Sequence, residues 1–288
     1  MASKQERQRQ LAREAHQRRM ERREARLRRQ RVTGVVSVAV VVVIAVGVGL
    51  TAVLGGFSAS AKPKAAAAKT PAATASPTPA PSPSNTAAMV DGKCQYIKGG
   101  TAARAVNLPS AKPDTAATYR ATIATNRGKI VIDLMNTGAP CTVNSFVSLA
   151  DQKYYNNTPC HRLTTSGIFV LQCGDPSGTG QGVPGYGFGT ENTAGLKPVT
   201  VAGATEALYP AGVVAMANSG QPDSNGSQFF LVYKNTDLPP SYTPFGTIVS
   251  GLNILQNVAK AGSDNSTGPG DGHPKEKVQI EGVTISKT

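Results

Sequence analysis

From Val32 to Phe57 the chain runs 26 residues without a charge, mostly Val, Ala, Gly and Leu. A helix of roughly 20 apolar residues crosses a hydrocarbon core of about 30 Å, so this stretch predicts one transmembrane helix. Residues 58–88 lose all apolar periodicity, and Pro recurs at 63, 71, 77, 79, 81 and 83 among Ala, Ser, Thr and Lys. Such a segment cannot bury enough surface to offset its ordering entropy and predicts a disordered, extended stalk. A short pre-domain segment, 89–116, precedes the folded domain, 117–288. There Tyr119–Ile123 and Lys129–Leu134 read as two strands joined at Asn126-Arg127-Gly128. Val143, Phe146, Val147 and Ala150 recur at helical spacing after Pro140 and predict a short amphipathic helix. Apolar runs at Ile168–Leu171, Gly212–Met216, Gln228–Tyr233 and Phe245–Val249 follow, then a helical pattern over Leu252–Ala259 and a last strand near Val278–Ile285. Many short strands, two helices and Gly-rich loops predict a mainly β domain, a closed antiparallel barrel.

Charge changes the picture of the N-terminal third. The 288 residues hold 30 Lys+Arg against 17 Asp+Glu, a net charge of +13 that would suggest a nucleic-acid partner if spread through the fold. It is not spread: residues 1–31 hold 12 basic and 4 acidic side chains, while residues 89–288 hold 15 and 13. No nucleic-acid partner is expected. Arg26, Arg28, Arg29 and Arg31 flank one end of the apolar run and Ser58-Ala59-Ser60 the other. The positive-inside rule then puts the basic segment 1–31 in the cytoplasm and the C-terminal domain outside, with 32–57 in membrane lipid. A cleaved signal peptide ending at Ala59-Ser60-Ala61 is the competing reading. Signal h-regions run about 7–15 residues behind a shorter basic region, so a single-pass anchor is preferred.

Cys94, Cys141, Cys160 and Cys173 all fall on the expected outer side. An even count in an exported domain points to two disulfides, with three pairings open. A zinc site is disfavoured because no C-x-x-C occurs, and no metal or cofactor is expected. Gly180 to Gly185 match G-x-G-x-x-G, but Pro184 and the following Tyr186-Gly187-Phe188-Gly189 leave no helix for a dinucleotide to sit on. His16, His161 and His273 form no triad or ligand spacing, and His161 reads as structural.

Two segments are unusually specific for loops and strand ends. One is Cys160-His161-Arg162-Leu163 with Phe169-Val170-Leu171-Gln172-Cys173-Gly174-Asp175; the other is Met216-Ala217-Asn218-Ser219-Gly220 with Asn225-Gly226-Ser227-Gln228-Phe229-Phe230. Together they resemble the cyclophilin family of peptidyl-prolyl cis-trans isomerases, over about residues 117–288, in the arrangement of membrane-anchored actinobacterial forms. The resemblance implies an eight-stranded closed barrel with two capping helices. It implies Arg162 as the catalytic cation, acting with Phe169 and Gln172. Val170, Phe230, Leu238 and Tyr242 resemble the rest of the proline pocket. Asn218 and Gln228, with Gln172, resemble the groups that hold substrate backbone, and Gly178 and Ala217 the small residues lining the groove.

The residue types suit the reaction. An X-Pro bond turns over a barrier of about 18–20 kcal/mol because rotation breaks amide resonance. No bond is made or broken, so neither nucleophile nor metal is required. An apolar pocket can grip the proline ring while a fixed guanidinium donates to the prolyl nitrogen as its lone pair localises. Arg stays charged and presents its donors in one plane. The expected function is isomerisation of X-Pro bonds in exported, proline-containing polypeptides by a monomeric ectodomain; the alternative is a peptide-binding or chaperone module with incidental isomerase activity. The chain departs from the family pattern at several points. Nine residues separate Arg162 from Gln172, two more than usual, so the hairpin is longer. Val170 stands for the usual Met, Cys173 for a Gly, and Asp237 where many relatives carry Trp or Phe.

Overall fold

The computed structural model describes residues 88–201 and 204–287. The basic segment 1–31, the apolar run 32–57 and the stalk as far as residue 87 lie outside the described residues. Among those described, no helix is long and apolar enough to cross a membrane.

The alternating segments form one antiparallel sheet. Its strands are β1 (Tyr119–Thr125), β2 (Gly128–Leu134), β3 (Thr158–Pro159), β4 (Arg162–Thr164), β5 (Val170–Cys173), β6 (Val213–Met216), β7 (Phe229–Val232), β8 (Pro244–Ser250), β9 (Asp271–Gly272) and β10 (Gln279–Lys287). They lie in the order β9-β4-β5-β7-β6-β8-β2-β1-β10-β3. The order is linear, so the expected closed eight-stranded barrel is corrected to a curled half-barrel whose ladder does not close. The reason lies at the two edges: β3 and β9 are two residues each, and Pro159 has no N–H to extend a ladder.

Side chains alternate across this sheet, and the two faces bury different clusters. Ile123, Ile130, Ile132, Leu171, Val214, Phe229 and Leu231 belong to the main core. The two predicted helices cover it: α1 (Pro140–Asp151) with Val143, Phe146 and Leu149, and α2 (Leu252–Ala261) with Leu255 and Val258. Phe146 sits 5.3 Å from Phe245 and 5.6 Å from Phe229, the latter edge-on, within the range where aromatic pairs attract beyond simple burial. The opposite face carries Val170, Ala215, Phe230 and Val232. That second face is where the site forms.

α1 begins on Pro140 and has no side-chain cap of its own. The carboxylate of Glu191 takes that place, accepting from the backbone N–H of Cys141 at 3.2 Å and of Thr142 at 2.8 Å. Burial pushes the Glu191 carboxyl pKa up, against the hydrogen bonds from Thr142 and Cys141 that favour its charged form.

The pre-domain segment is folded on to this body, as is Ala88, the last residue of the expected stalk. Met89–Val90 and Lys93–Cys94 make a hairpin around Asp91-Gly92, both with positive φ (49° and 69°), a turn matched to strand twist. Cys94 bonds Cys141 of α1, and the Tyr96 hydroxyl donates to the Cys141 carbonyl at 2.8 Å. One Arg104 nitrogen donates to the carbonyls of Lys153, Tyr154 and Asn156 just past the end of the same helix. The second disulfide joins Cys160 to Cys173, so both expected bridges form and the pairing is settled.

Candidate active site

Backbone register brings four side chains into one row. Arg162 of β4 is paired with Gln172 of β5, Gln172 with Phe230 of β7, and Phe230 with Ala215 of β6. Laterally paired residues share a face, so all four project on the side opposite the main core. Val170 and Val232, the pair one step along, project there too.

Around that row an apolar cluster gathers. Val170, Phe230 and Leu238 are buried in it, and Ala217 and Tyr242 pack at its edge. The Tyr242 ring meets Phe230 edge-on at 5.5 Å between centroids. Tyr209 stands behind both, 6.3 Å from Phe230, and its hydroxyl donates to the Tyr242 carbonyl at 2.9 Å. Leu238 arrives from outside the main sheet. It lies on Thr236–Leu238, which pairs with Ala204–Tyr209 in a separate three-stranded sheet completed by Lys197–Val201.

The polar set lies beside the cluster. Gln172 Nε2 donates to Gln228 Oε1 at 2.9 Å, and Gln228 Nε2 donates to the carbonyls of Gly180 and Gly182 at 3.1 and 3.0 Å. Asn218 Nδ2 donates to the Ser241 carbonyl at 2.9 Å, while its Oδ1 accepts from the Gly220 N–H at 3.0 Å. Arg162 is half-buried, and Asp271 accepts from its Nε and Nη2 at 2.8 and 2.7 Å. That hydrogen bond raises the guanidinium pKa further, so it stays charged at any ordinary pH.

The G-x-G-x-x-G run has a different purpose from a phosphate cradle. Asp175 is fully buried and accepts from the N–H groups of Ser177, Gly180 and Gly182 at 2.8, 2.7 and 3.0 Å, and from the Ser177 hydroxyl at 2.6 Å. Burial alone would raise the Asp175 pKa; the hydrogen bonds from Ser177, Gly182 and Gly180 outweigh it and hold the carboxyl below its usual range. A side chain at position 182 would run into that carboxylate. The loop is wound around Asp175, and it aims two carbonyls at Gln228.

Two singled-out residues stand elsewhere. Phe169, expected in the pocket wall, instead packs against Tyr233 at 6.1 Å, with Lys234 Nζ 4.3 Å from its ring centroid. It lines a 660 Å³ cavity with Thr165, Gln256 and Lys260, on the main-core side of the sheet. The cause is strand alternation: Val170 and Gln172 face the cluster, so Phe169 faces away. Ile168, just after the Ser166-Gly167 turn, packs on the cluster instead. Gly178, expected to line the groove, lies against Pro159, where an added Cβ would come within 2.9 Å of the proline ring. His161 is buried beside Arg162 with neither ring nitrogen hydrogen-bonded, and burial lowers its pKa.

Asp271, Tyr209, Ile168 and Asp175 were not legible as site residues. Asp175 has a signal in the sequence, since an aspartate followed by three closely spaced glycines is a pattern for a backbone nest. Asp271 had none, because it lies 109 positions from Arg162.

A curled antiparallel sheet with two covering helices thus carries an arginine, paired glutamines and an aromatic cluster together on its outer face. The chain belongs to the cyclophilin type peptidyl-prolyl cis-trans isomerase/CLD family, whose pattern matches residues 120–285. It is 48% identical over 198 residues to a protein of Mycobacterium leprae named probable peptidyl-prolyl cis-trans isomerase B, covering 67% of this chain and 66% of that one. The Mycobacterium tuberculosis (H37Rv) protein of the same name is 44% identical over 205 residues, covering 69% and 66%. The chain thus spans just under two thirds of the length of these relatives. A crystal structure of a Cryptosporidium parvum cyclophilin type peptidyl-prolyl cis-trans isomerase aligns at 26% identity and TM-score 0.45, covering 59% of this chain and 99% of that one.

Proposed function

We propose that this protein is a peptidyl-prolyl cis-trans isomerase acting on proline-containing segments of exported polypeptides. The observation that carries the reading is the row Arg162–Gln172–Phe230, set in register on the face that also buries Val170 and Leu238. The proline ring fills the apolar cluster beside Phe230 and Tyr242. Gln172 and Asn218 hydrogen-bond the flanking backbone. The Arg162 guanidinium donates to the prolyl nitrogen in the twisted state, where amide resonance is lost and the lone pair is localised. A preorganised donor of this kind contributes about 10²–10³ in rate.

Nuclear magnetic resonance exchange measurements on an Ala-Pro peptide with the full chain in detergent micelles test this. Acceleration that drops by that factor in Arg162→Ala supports it; peptide binding without acceleration would instead favour a binding or chaperone module.

We further propose that residues 32–57 anchor the chain, with 1–31 cytoplasmic and the domain outside as a monomer. The uncharged run, its one-sided arginine flank and two disulfides support this, because structural disulfides persist mainly in oxidising compartments. A C-terminal reporter that matures only outside the cytoplasm is expected to be active; activity of a cytoplasm-only reporter at the same position would refute it.

A further inference from the structure

Arg162 has its groove-side role only if its guanidinium is held still, and the fold supplies a holder. Asp271 sits on β9, paired with β4 in the register Asp271↔Thr164 and Gly272↔Leu163. Its two carboxylate oxygens take Nε and Nη2 of Arg162 at 2.8 and 2.7 Å, a fork-to-fork contact that fixes the guanidinium plane. Two of the five N–H donors are engaged and three remain.

The backbone that carries this carboxylate is itself anchored. The Gly270 carbonyl accepts from the Thr165 N–H at 2.7 Å, and the Gly270 N–H donates to Asn265 Oδ1 at 2.7 Å. Gly268 and Asp271 exchange backbone hydrogen bonds of 3.1 and 2.9 Å. Gly270 has φ +75°, and an added Cβ would come within 2.7 Å of Ser166. The loop bearing Asp271 is therefore bound to the same β4–β5 hairpin that carries Arg162 and Gln172. The two charged side chains are 38% and 24% exposed, so solvent screens the pair and its contribution to stability is small.

We propose that Asp271 is a positioning residue for Arg162: it sets the plane of the guanidinium before peptide arrives, so that the remaining donors already face the prolyl nitrogen. This rests on the isomerase reading above. A donor fixed in advance needs no reorganisation in the twisted state, whereas a long unpaired side chain samples many rotamers. The consequence is specific. Losing Asp271 lowers the rate of turnover on the bound peptide and leaves ground-state binding, which depends on the apolar cluster and the amides, in place.

The test is line-shape analysis of an Ala-Pro peptide with the full chain, which yields the dissociation constant and the on-enzyme exchange rate separately. In Asp271→Asn, which keeps the shape and removes the charge and the bidentate acceptor, the exchange rate is expected to fall roughly ten- to a hundredfold. The dissociation constant should stay within about twofold, which also shows that the groove is folded. An unchanged exchange rate overturns the inference. So does a loss of binding in step with the rate, which would mark a purely structural pair. If the unaltered chain binds the peptide but does not accelerate exchange, it is the isomerase reading that fails, a result separable from both.

Discussion

The side-chain amide of Gln172 donates to Gln228 Oε1 at 2.9 Å, and so links the strand that carries the pocket to the loop wound around Asp175. The orientation of Gln228 is dictated from behind, because its nitrogen faces two carbonyls. Gln228→Glu would set a carboxylate against the Gly180 and Gly182 carbonyls. It is expected to cost about 1–3 kcal/mol by urea unfolding, the penalty for unpaired buried acceptors, and to weaken Ala-Pro peptide binding.

Phe230 and Phe169 are the two phenylalanines that could grip proline, and they lie on opposite faces of the sheet. Phe230→Ala should lower kcat/KM by about 1.5–3 kcal/mol of lost apolar contact, roughly ten- to a hundredfold. Phe169→Ala should cost far less in kcat/KM and show itself in stability. The reverse ranking would mean that the peptide lies on the other face.

Asp175 receives three backbone N–H groups and a hydroxyl, and its lowered pKa stabilises the fold above the ordinary carboxylate range. That contribution is lost as pH falls through the folded-state pKa. Asp175→Asn turns one acceptor into a donor facing these groups and should lose about 1.5–3 kcal/mol at pH 7, measured by urea unfolding. The acid limb of the stability profile should flatten in the variant.

His161 gives a separate pH signature. Its pKa is lowered by burial, so near neutrality and just below it the unfolded chain binds more protons than the folded one. Stability should therefore decline as pH drops below about 6.5. His161→Met, apolar and adaptable, should abolish that decline without loss at pH 7.5, since neither ring nitrogen has a hydrogen bond to give up. Melting curves at pH 5.5 and 7.5 decide it.

The two disulfides close loops of different length, 47 and 13 residues apart. Loop-closure entropy predicts losses of about 4 kcal/mol for Cys94→Ala with Cys141→Ala and about 3 kcal/mol for Cys160→Ala with Cys173→Ala. Urea midpoints with m-values give the comparison. The first pair should also release residues 88–112 to limited proteolysis, since Cys94 is their covalent tie to α1.

Much of the fold could be read from local pattern. Strand patterns marked β1, β2 and β10, short apolar runs marked β6, β7 and β8, and the spacing of Val143, Phe146 and Ala150 marked α1, because burial leaves its pattern in the chain. β5 is placed two residues later than its apolar run, since Ser166-Gly167 turns the chain and Ile168 belongs to the turn. The hairpin of Lys197–Val201 and Ala204–Tyr209 leaves a weak strand pattern, because its first strand buries no side chain fully and its second buries only Ala207 and Tyr209.

The site divides in the same way. Arg162, Gln172, Asn218, Gln228 and Phe230 could be named from the sequence because the residue types and their spacing are local properties of two segments. Which face each side chain takes is not local. It depends on the register of β4, β5 and β7, and that register sent Phe169 to the core side and brought Ile168 to the pocket. The partner of each polar group is still less local. Asp271 meets Arg162 across 109 positions and Glu191 caps a helix 50 positions away, contacts that only chain folding creates. The sequence by itself determined the order of the segments, the sheet and helix periods, and the chemistry available at each. The tertiary structure alone decided that the sheet stays open, which cysteines pair, and what holds the guanidinium, because each of these depends on distances between residues remote along the chain.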